Sequence, residues 1–287
     1  MRILKAINNN VVSALDENGQ EIIVTGKGIG FRAISGDLIP SQDVEKVFRM
    51  NDQHQTDRLK DLFASLPMQH MRLSDGIITY AKEKLGMHLN QSIYVTLTDH
   101  INFAVRRYKQ GMPISNPLLM EVRRFYPQEY IIGQYALEQV DRELGVSMPP
   151  DEAASIALHI VNAEYDSPTM NETLNMTRLI QAIIELVRGF PGFTFDDTSM
   201  DYERFITHLK YLAQRLYRSE ERQRSDPEFV GAIASIYPTE CEYSVRVAKF
   251  VEQKAGHTLS PEEKSYLAVH LRRISRSQET KNIDSPI

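Results

Sequence analysis

Four histidines stand where an imidazole could do chemistry, and they fall into two matched pairs. His100 in TLTDHINFAVRR answers His208 in FITHLKYLAQRL, and His159 in SIALHIVNAE answers His270 in YLAVHLRRI. The offsets are 208 − 100 = 108 and 270 − 159 = 111. Each has an apolar residue three before it (Leu97, Phe205, Ile156, Leu267), one directly after it (Ile101, Leu209, Ile160, Leu271) and one four on (Ala104, Leu212, Ala163, Ile274). That shared phase places every one of these imidazoles at the edge of the apolar stripe of an amphipathic helix. The second half of the chain reads as a duplication of the stretch before it.

A lone histidine on such an edge is most often a satisfied core or surface residue. His54, His70, His88 and His257 have no counterpart at the matching repeat position, whereas the other four pair off completely. Packing alone would accept Leu, Met or Tyr there, and the copies do differ elsewhere, as in Phe103 against Tyr211 and Ala154 against Ser265. Three chemistries compete for the retained imidazoles. A metal site would need further ligands in register, but Asp99 is answered by Thr207 and a single cysteine, Cys241, cannot build a thiolate zinc site, so no metal is expected. A hydrolase would need a nucleophile or paired carboxylate, and no G-x-S-x-G or H-E-x-x-H occurs, so neither catalytic residues nor an enzyme are expected. The third is that the ring nitrogen accepts a phosphoryl group, placing nearly two negative charges at a helix edge near Arg106, Arg107, Arg215 and Arg272. Such a group is a switch.

The elements that must hold these residues are helical from about residue 51 onward. A polar stretch enters a short helix broken at Pro67; Ser74-Asp75 is expected to cap a helix through Leu85 that stops at Gly86. A long helix follows from about Gln91 to Gln110, then Asn116-Pro117, a break at Tyr126-Pro127, a helix to about Leu144, and Pro149-Pro150-Asp151 opening the helix of His159. The second copy repeats the punctuation with Asp226-Pro227, Tyr237-Pro238, Gly256 and Pro261-Glu262-Glu263. The polar stretch Asp166 to Asn175 reads as a linker between two helical bundles.

The first fifty residues are different. Val11 to Leu15 and Glu21 to Thr25 flank Asn18-Gly19, the signature of a β-hairpin. A sheet this small buries little surface alone, which makes a homodimer a physical expectation. Gly26-Lys27-Gly28-Ile29-Gly30-Phe31-Arg32 lacks the spacing and sequel of a dinucleotide site, so no cofactor is expected. It reads as a glycine-permitted turn. The same bare backbone could approach a phosphate chain between Lys27 and Arg32, with Phe31 offered to a base, and Asn8-Asn9-Asn10 has the turn-forming or base-reading character of asparagine.

At 287 residues the chain should hold two or three domains. A net charge of −5 is not the footprint of a general nucleic-acid binder, but residues 1–50 carry six basic against six acidic side chains, which leaves a polyanion partner open for that segment. One cysteine implies a reducing compartment, and no apolar run approaches a membrane span, so a soluble cytoplasmic protein without membrane insertion is expected.

MRILKAINNNVV, the GKGIGF loop and the duplicated LTDHINFAVRR and IALHIVNAE segments together resemble the BglG/SacY family of transcriptional antiterminators over nearly the whole chain. The resemblance implies a fold in three parts: a dimeric, four-stranded all-β RNA-binding domain over residues 1–56, then all-α regulatory bundles of the phosphotransferase-system type over 65–170 and 171–287. It implies binding of a leader-mRNA hairpin that overlaps a terminator, with Lys5, Asn10, Gly26, Lys27 and Phe31 as contacts and Asn8 and Asn9 as their neighbours. Relatives often carry Arg at the position of Lys27, and Lys27 keeps the charge of Arg but not its planar fork. It further implies phosphorylation of His100 and His159 by a sugar-specific permease, which inactivates, and of His208 and His270 by the phosphocarrier protein HPr, which activates. The alternative from another class is a phosphotransfer component that relays phosphate onward instead of binding RNA.

Overall fold

Alternating side chains in the first fifty residues build a sheet with two apolar faces. In the computed structural model, which describes residues 1–31, 33–50, 52–86, 88–165, 169–193, 196, 198–218 and 226–276, strands β1 (Arg2–Asn8), β2 (Val11–Leu15), β3 (Glu21–Thr25) and β4 (Lys46–Phe48) pair antiparallel in that spatial order. Ser13 lies opposite Ile23 and Ile23 opposite Phe48. Val11, Ile23 and Phe48 therefore share one face, while Val12, Ala14, Ile22 and Val24 turn to the other. That second face is closed by Ile39 and by the half-buried Ile29, Ala33 and Val44 of the long connection to β4. The β2–β3 hairpin turns at Gly19, whose φ of 76° suits glycine, and Asp16 Oδ1 accepts from the backbone N–H of Asn18 and Gln20.

The first face belongs to a larger core. Helix α1 (Gln53–Ser65) starts at Asp52, whose carboxylate accepts from Gln55 N–H at 2.8 Å, and it buries Thr56, Leu59 and Phe63 at helical spacing. Leu59 and Phe63 join Val11, Ile23 and Phe48 with Ile77, Ile93, Leu97 and Ile101 in one continuous apolar cluster. The burial that the sheet needs is thus supplied by helices of its own chain, so its size alone does not call for a second copy.

Five helices complete this unit: α2 (Met68–Leu85), α3 (Ile93–Lys109), α4 (Leu119–Phe125), α5 (Pro127–Leu144) and α6 (Pro150–Glu164). Proline at the first turn opens α5 and α6, and Gly86 and Gly145 in the left-handed region close α2 and α5. Helices α5 and α6 meet closely at Gly133, where a Cβ would come within 2.1 Å of the Ala153 carbonyl oxygen. One expected boundary is corrected. Ser74 does not cap α2, because the helix begins directly after Pro67; Ser74 is buried within it, and Asp75 forms an ion pair with Lys46 of β4.

The chain divides into two compact units, Met1–Met170 and Asn171–Ile287. The second contains α7 (Met170–Arg188), α8 (Met200–Arg218), α9 (Pro227–Ile236), α10 (Pro238–Ala255) and α11 (Pro261–Arg276). Proline opens α10 and α11 and Gly256 closes α10 at φ 71°, as in the first copy, whereas α9 begins at Pro227 itself and α4 two residues after Pro117. The expected linker is shorter than its polarity suggested: Met170–Asn175 already belong to α7, and residues 166–168 lie outside the described residues. Among the described residues no helix is long and apolar enough to cross a membrane.

Candidate functional site

Asparagines hold the glycine loop from below. Asn10 Oδ1 accepts from Gly28 N–H at 2.8 Å, its carbonyl accepts from Gly26 N–H at 3.0 Å, and the Asn9 carbonyl accepts from Gly30 N–H at 3.0 Å. The approach is closer than a side chain permits: a Cβ on Gly26 would lie 1.9 Å from the Asp43 carbonyl oxygen, and one on Gly30 would lie 1.9 Å from that of Asn8. Gly28 at the tip has φ 71°. The loop is therefore fixed in shape, and it turns the side chain of Lys27 to solvent and leaves Phe31 70% exposed.

The seven expected RNA contacts separate into two groups. Lys5, Asn9, Lys27 and Phe31 present exposed side chains. Asn8 and Asn10 use theirs internally, since Asn8 Oδ1 accepts from Asn10 N–H at 2.8 Å while its Nδ2 donates to the Phe63 carbonyl at 2.9 Å in the last turn of α1. Gly26 is buried and contributes only backbone. Arg32 lies outside the described residues. Sequence reasoning passed over Ile34 and Leu38, which follow the loop and are both 65% exposed. Two large apolar residues, separated by Ser35, Gly36 and Asp37 in a segment without strand or helix period, were the available signal.

The first histidine pair is assembled from α3 and α6. The rings of His100 and His159 stand 4.7 Å apart between centroids at 43°. Their flanking apolar residues (Leu97, Ile101 and Ala104 on α3; Ile156, Ile160 and Ala163 on α6) are all buried, so each imidazole does sit at the border of a packed stripe. His100 Nε2 lies 3.2 Å from Glu152 Oε2, and the other oxygen of Glu152 is ion-paired with Arg107. Glu152 and Arg107 are both buried. Burial, and then the neighbouring His100, hold His159 well below the ordinary histidine range.

The second pair repeats this geometry on α8 and α11, with the rings of His208 and His270 4.5 Å apart at 28°. Arg215 and Glu263 form the matching ion pair. Burial lowers His270 as well, with Arg273 and Arg204 adding to the effect and Asp201 opposing it. These rings border a hollow of about 420 Å³ whose lining includes Arg204, Thr207 and Tyr211. Among the described residues no cluster of three or more His, Cys, Asp or Glu is arranged to hold a metal ion.

In the sequence the two glutamates read only as matched helix-opening punctuation and not as neighbours of the histidines, although they share the histidines' offsets. Arg215 follows Arg107 by 215 − 107 = 108, and Glu263 follows Glu152 by 263 − 152 = 111, the same offsets as the rings they serve. The difference between Asp99 and Thr207 also has a geometric basis. Asp99 pairs with Arg58 of α1 at 3.8 Å, whereas the Thr207 hydroxyl donates to the Glu203 carbonyl at 2.9 Å within its own helix.

Family models match this chain in three places: a CAT RNA binding domain over residues 1–57, and a PRD domain twice, over 75–163 and 181–274. The chain belongs to the BglG/LicT family of antiterminators. The antiterminator is 40% identical over 274 residues to Transcription antiterminator LicT of Bacillus subtilis (96% of this chain, 99% of the relative). It is 38% identical to the Beta-glucoside operon antiterminator of Dickeya chrysanthemi, with 96% of each chain covered. A crystal structure of GlcT CAT-PRDI matches with a TM-score of 0.51 at 33% identity, covering 57% of this chain and 97% of that one. The antiterminator is thus an RNA-binding regulator and not an enzyme, with a four-stranded sheet followed by two helical PRD regions. Its exposed Lys27 and Phe31 fall in the CAT match, and each histidine pair falls inside one PRD match.

The depressed His159 and His270 make a prediction about pH. An imidazole whose folded value lies below its unfolded value of about 6.5 binds protons more readily when unfolded. Its stabilising contribution is complete above that value and is lost as pH falls toward the folded one. The urea midpoint of the antiterminator should therefore drop between about pH 7.5 and 5, and His159→Gln should flatten that slope. A slope unchanged by His159→Gln would rule the imidazole out as its source.

Proposed function

We propose that this antiterminator, as a dimer, binds a hairpin in the leader RNA of a β-glucoside operon, reading it with Lys5, Asn9, Lys27 and Phe31 while Asn8, Asn10 and Gly26 keep the loop in shape. One observation carries this reading: the loop is locked by Asn10 and by two close backbone approaches, yet it exposes a cation, Lys27, and four residues on a large aromatic, Phe31. A rigid platform of this kind suits a splayed base on Phe31 and a phosphate on Lys27. The exposed apolar side chains of Leu4, Ile34 and Leu38 supply surface that a second copy would cover. The operon class follows the name of one relative, the Beta-glucoside operon antiterminator.

In the regulatory part of this proposal, a sugar-specific permease phosphorylates His100 and His159 and inactivates, while phosphocarrier protein HPr phosphorylates His208 and His270 and activates. Support comes from two imidazole pairs of the same geometry, each beside an arginine and a glutamate that recur at the same offsets.

Full-length protein is the right reagent for the RNA test, because the sheet shares its core with α1 and α3. Titration against the operon's leader hairpin and against duplex DNA of the same length should show salt-sensitive binding to the RNA alone. Phe31→Ala should weaken it by about 1–3 kcal/mol, the usual contribution of one stacked base. Lys27→Ala should weaken it and reduce the salt slope by about one. Equal affinity for both nucleic acids, or unchanged affinity in Phe31→Ala, would defeat the proposal.

A further inference from the structure

One side of α8 carries His208 within a stripe that is apolar at both ends. Met200, Arg204, Thr207, His208 and Tyr211 recur there at helical spacing, and all of them line the same hollow as His270 of α11. Met200 is 66% and Tyr211 69% exposed, whereas both imidazoles are partly buried. Apolar side chains scattered singly over a surface are ordinary. Tyr211 is set apart by recurrence. Its place, three residues beyond His208, is held in the first unit by Phe103, three beyond His100, and that residue too is aromatic and exposed. Phe103 has the guanidinium of Arg107 5.3 Å from its ring centre, which gives it a task in its own unit; Tyr211 is the more exposed of the two.

The length of the stripe narrows what could cover it. Met200 and Tyr211 are 211 − 200 = 11 residues apart, about 16 Å along the helix axis. A free phosphate or a small phosphate ester reaches the rings and leaves both ends bare, whereas a protein surface covers the whole stripe. Methionine and aromatic side chains are also the ones enriched where protein surfaces meet. The charges lining the hollow, Glu203 and Arg204, are of both signs, so the stripe offers a partner apolar contact more than net charge.

We propose that Tyr211, assisted by Met200, is the docking anchor on which a phosphorylated donor protein settles, with the donor's phosphohistidine held over His208 and His270. This rests on the reading of the second pair as phosphorylation sites served by HPr. In the transfer, a ring-nitrogen lone pair of the accepting histidine attacks the phosphorus. The nitrogen–phosphorus bond of the donor breaks as the new one forms, and its electron pair returns to the donor's ring; each ring keeps the proton on its other nitrogen. Tyr211 takes no part in that exchange. It holds the donor within reach, so its contribution lies in KM and not in kcat.

The test uses the full chain and two donors: HPr kept phosphorylated by phosphoenolpyruvate and the general phosphotransferase enzyme, and phosphoramidate, a small reagent that phosphorylates imidazoles without docking. Initial rates are read at His208 and His270 by peptide mass spectrometry. Tyr211→Ala should raise the KM for phosphorylated HPr about tenfold with kcat unchanged, the loss expected of an anchoring aromatic. Tyr211→Phe, which keeps the ring, should retain the parent's KM, and Met200→Ala should raise it by less than Tyr211→Ala. The phosphoramidate rate should match the parent's in all three. A slower phosphoramidate reaction in Tyr211→Ala would mean that the side chain shapes the hollow and does not dock the donor. An unchanged KM for HPr would place the docking surface elsewhere. Either result overturns the inference and leaves the phosphorylation reading standing; a parent protein that takes no phosphate from HPr overturns the donor reading and the inference with it.

Discussion

Arg107→Met is expected to destabilise the first unit by about 3–5 kcal/mol, the usual consequence of leaving a buried charge without its partner. Glu152 is 2% exposed and Arg107 8%, so neither group can turn to water when the other is removed. The carboxylate would then remain beside His100 with no cation opposite it. The double variant Arg107→Met, Glu152→Leu removes both charges and fills the space with carbon; it should recover most of the loss, because a buried ion pair gains little over a well-packed apolar pair. A double-mutant cycle by urea unfolding measures this, with Arg142→Met as a control, since Arg142 lies largely in solvent beside Glu143. Additive losses from the two single changes would mean that the pair does not act as a unit. The matching substitution at Arg215 should leave Glu263 stranded in the second unit, separately from the first.

What was legible in the sequence was what local chemistry decides. Asn18-Gly19 placed the β2–β3 hairpin between the right residues, and proline and glycine placed the ends of α5, α6, α10 and α11 because those residues act through their own backbone. The histidine pairs were legible because duplication turned one weak signal into four concordant ones. Features set by distant partners were not. Ser74-Asp75 looks like a helix cap, but Asp75 is claimed by Lys46, twenty-nine residues earlier in the chain, and the helix runs back to Pro67. Asn8 looked available to a base, but its amide is committed to the Phe63 carbonyl fifty-five residues away. The sequence marked Glu21–Thr25 as a hairpin strand, but not that one of its faces opens into the helical core. Glu152 reads as an ordinary first-turn acid of α6, and only its contacts with Arg107 and His100 across to α3 reveal it as part of the site.

The sheet and the first histidine pair belong to one packed body. Lys46 of β4 reaches Asp75 on α2 and lies over the Tyr94 ring on α3 at 5.0 Å, and Lys60 of α1 reaches Glu21 of β3 at 2.9 Å. A change in how α3 meets α6 therefore has a physical route to the strands that carry the loop, through side chains that also define the core.

Opposite signs for the two pairs, as proposed above, set the largest expected effect on activity. A phosphoryl group adds about 1.5 to 2 negative charges. At the first pair it would meet the buried Glu152 carboxylate and the exposed Asp99, while Arg107 is already engaged by Glu152, so like charges meet in a packed interface and drive α3 from α6. At the second pair Arg215 is likewise engaged by Glu263, the hollow is lined by both Glu203 and Arg204, and Asp201 faces His270 alongside Arg273 and Arg204. On the proposed signs, His100→Ala with His159→Ala should give antitermination without inducing sugar, and His208→Ala with His270→Ala should lower it even when sugar is present. Each change should span about 5- to 150-fold in a terminator–reporter fusion, the range of a coupling of roughly 1–3 kcal/mol. Arg204→Gln should reproduce part of the second loss, because phosphate at His208 or His270 would keep its charge and lose a partner. If both double variants respond to sugar as the parent does, phosphorylation at these rings is not the switch; if both change activity in the same direction, the proposed opposite signs fail even though the switch remains.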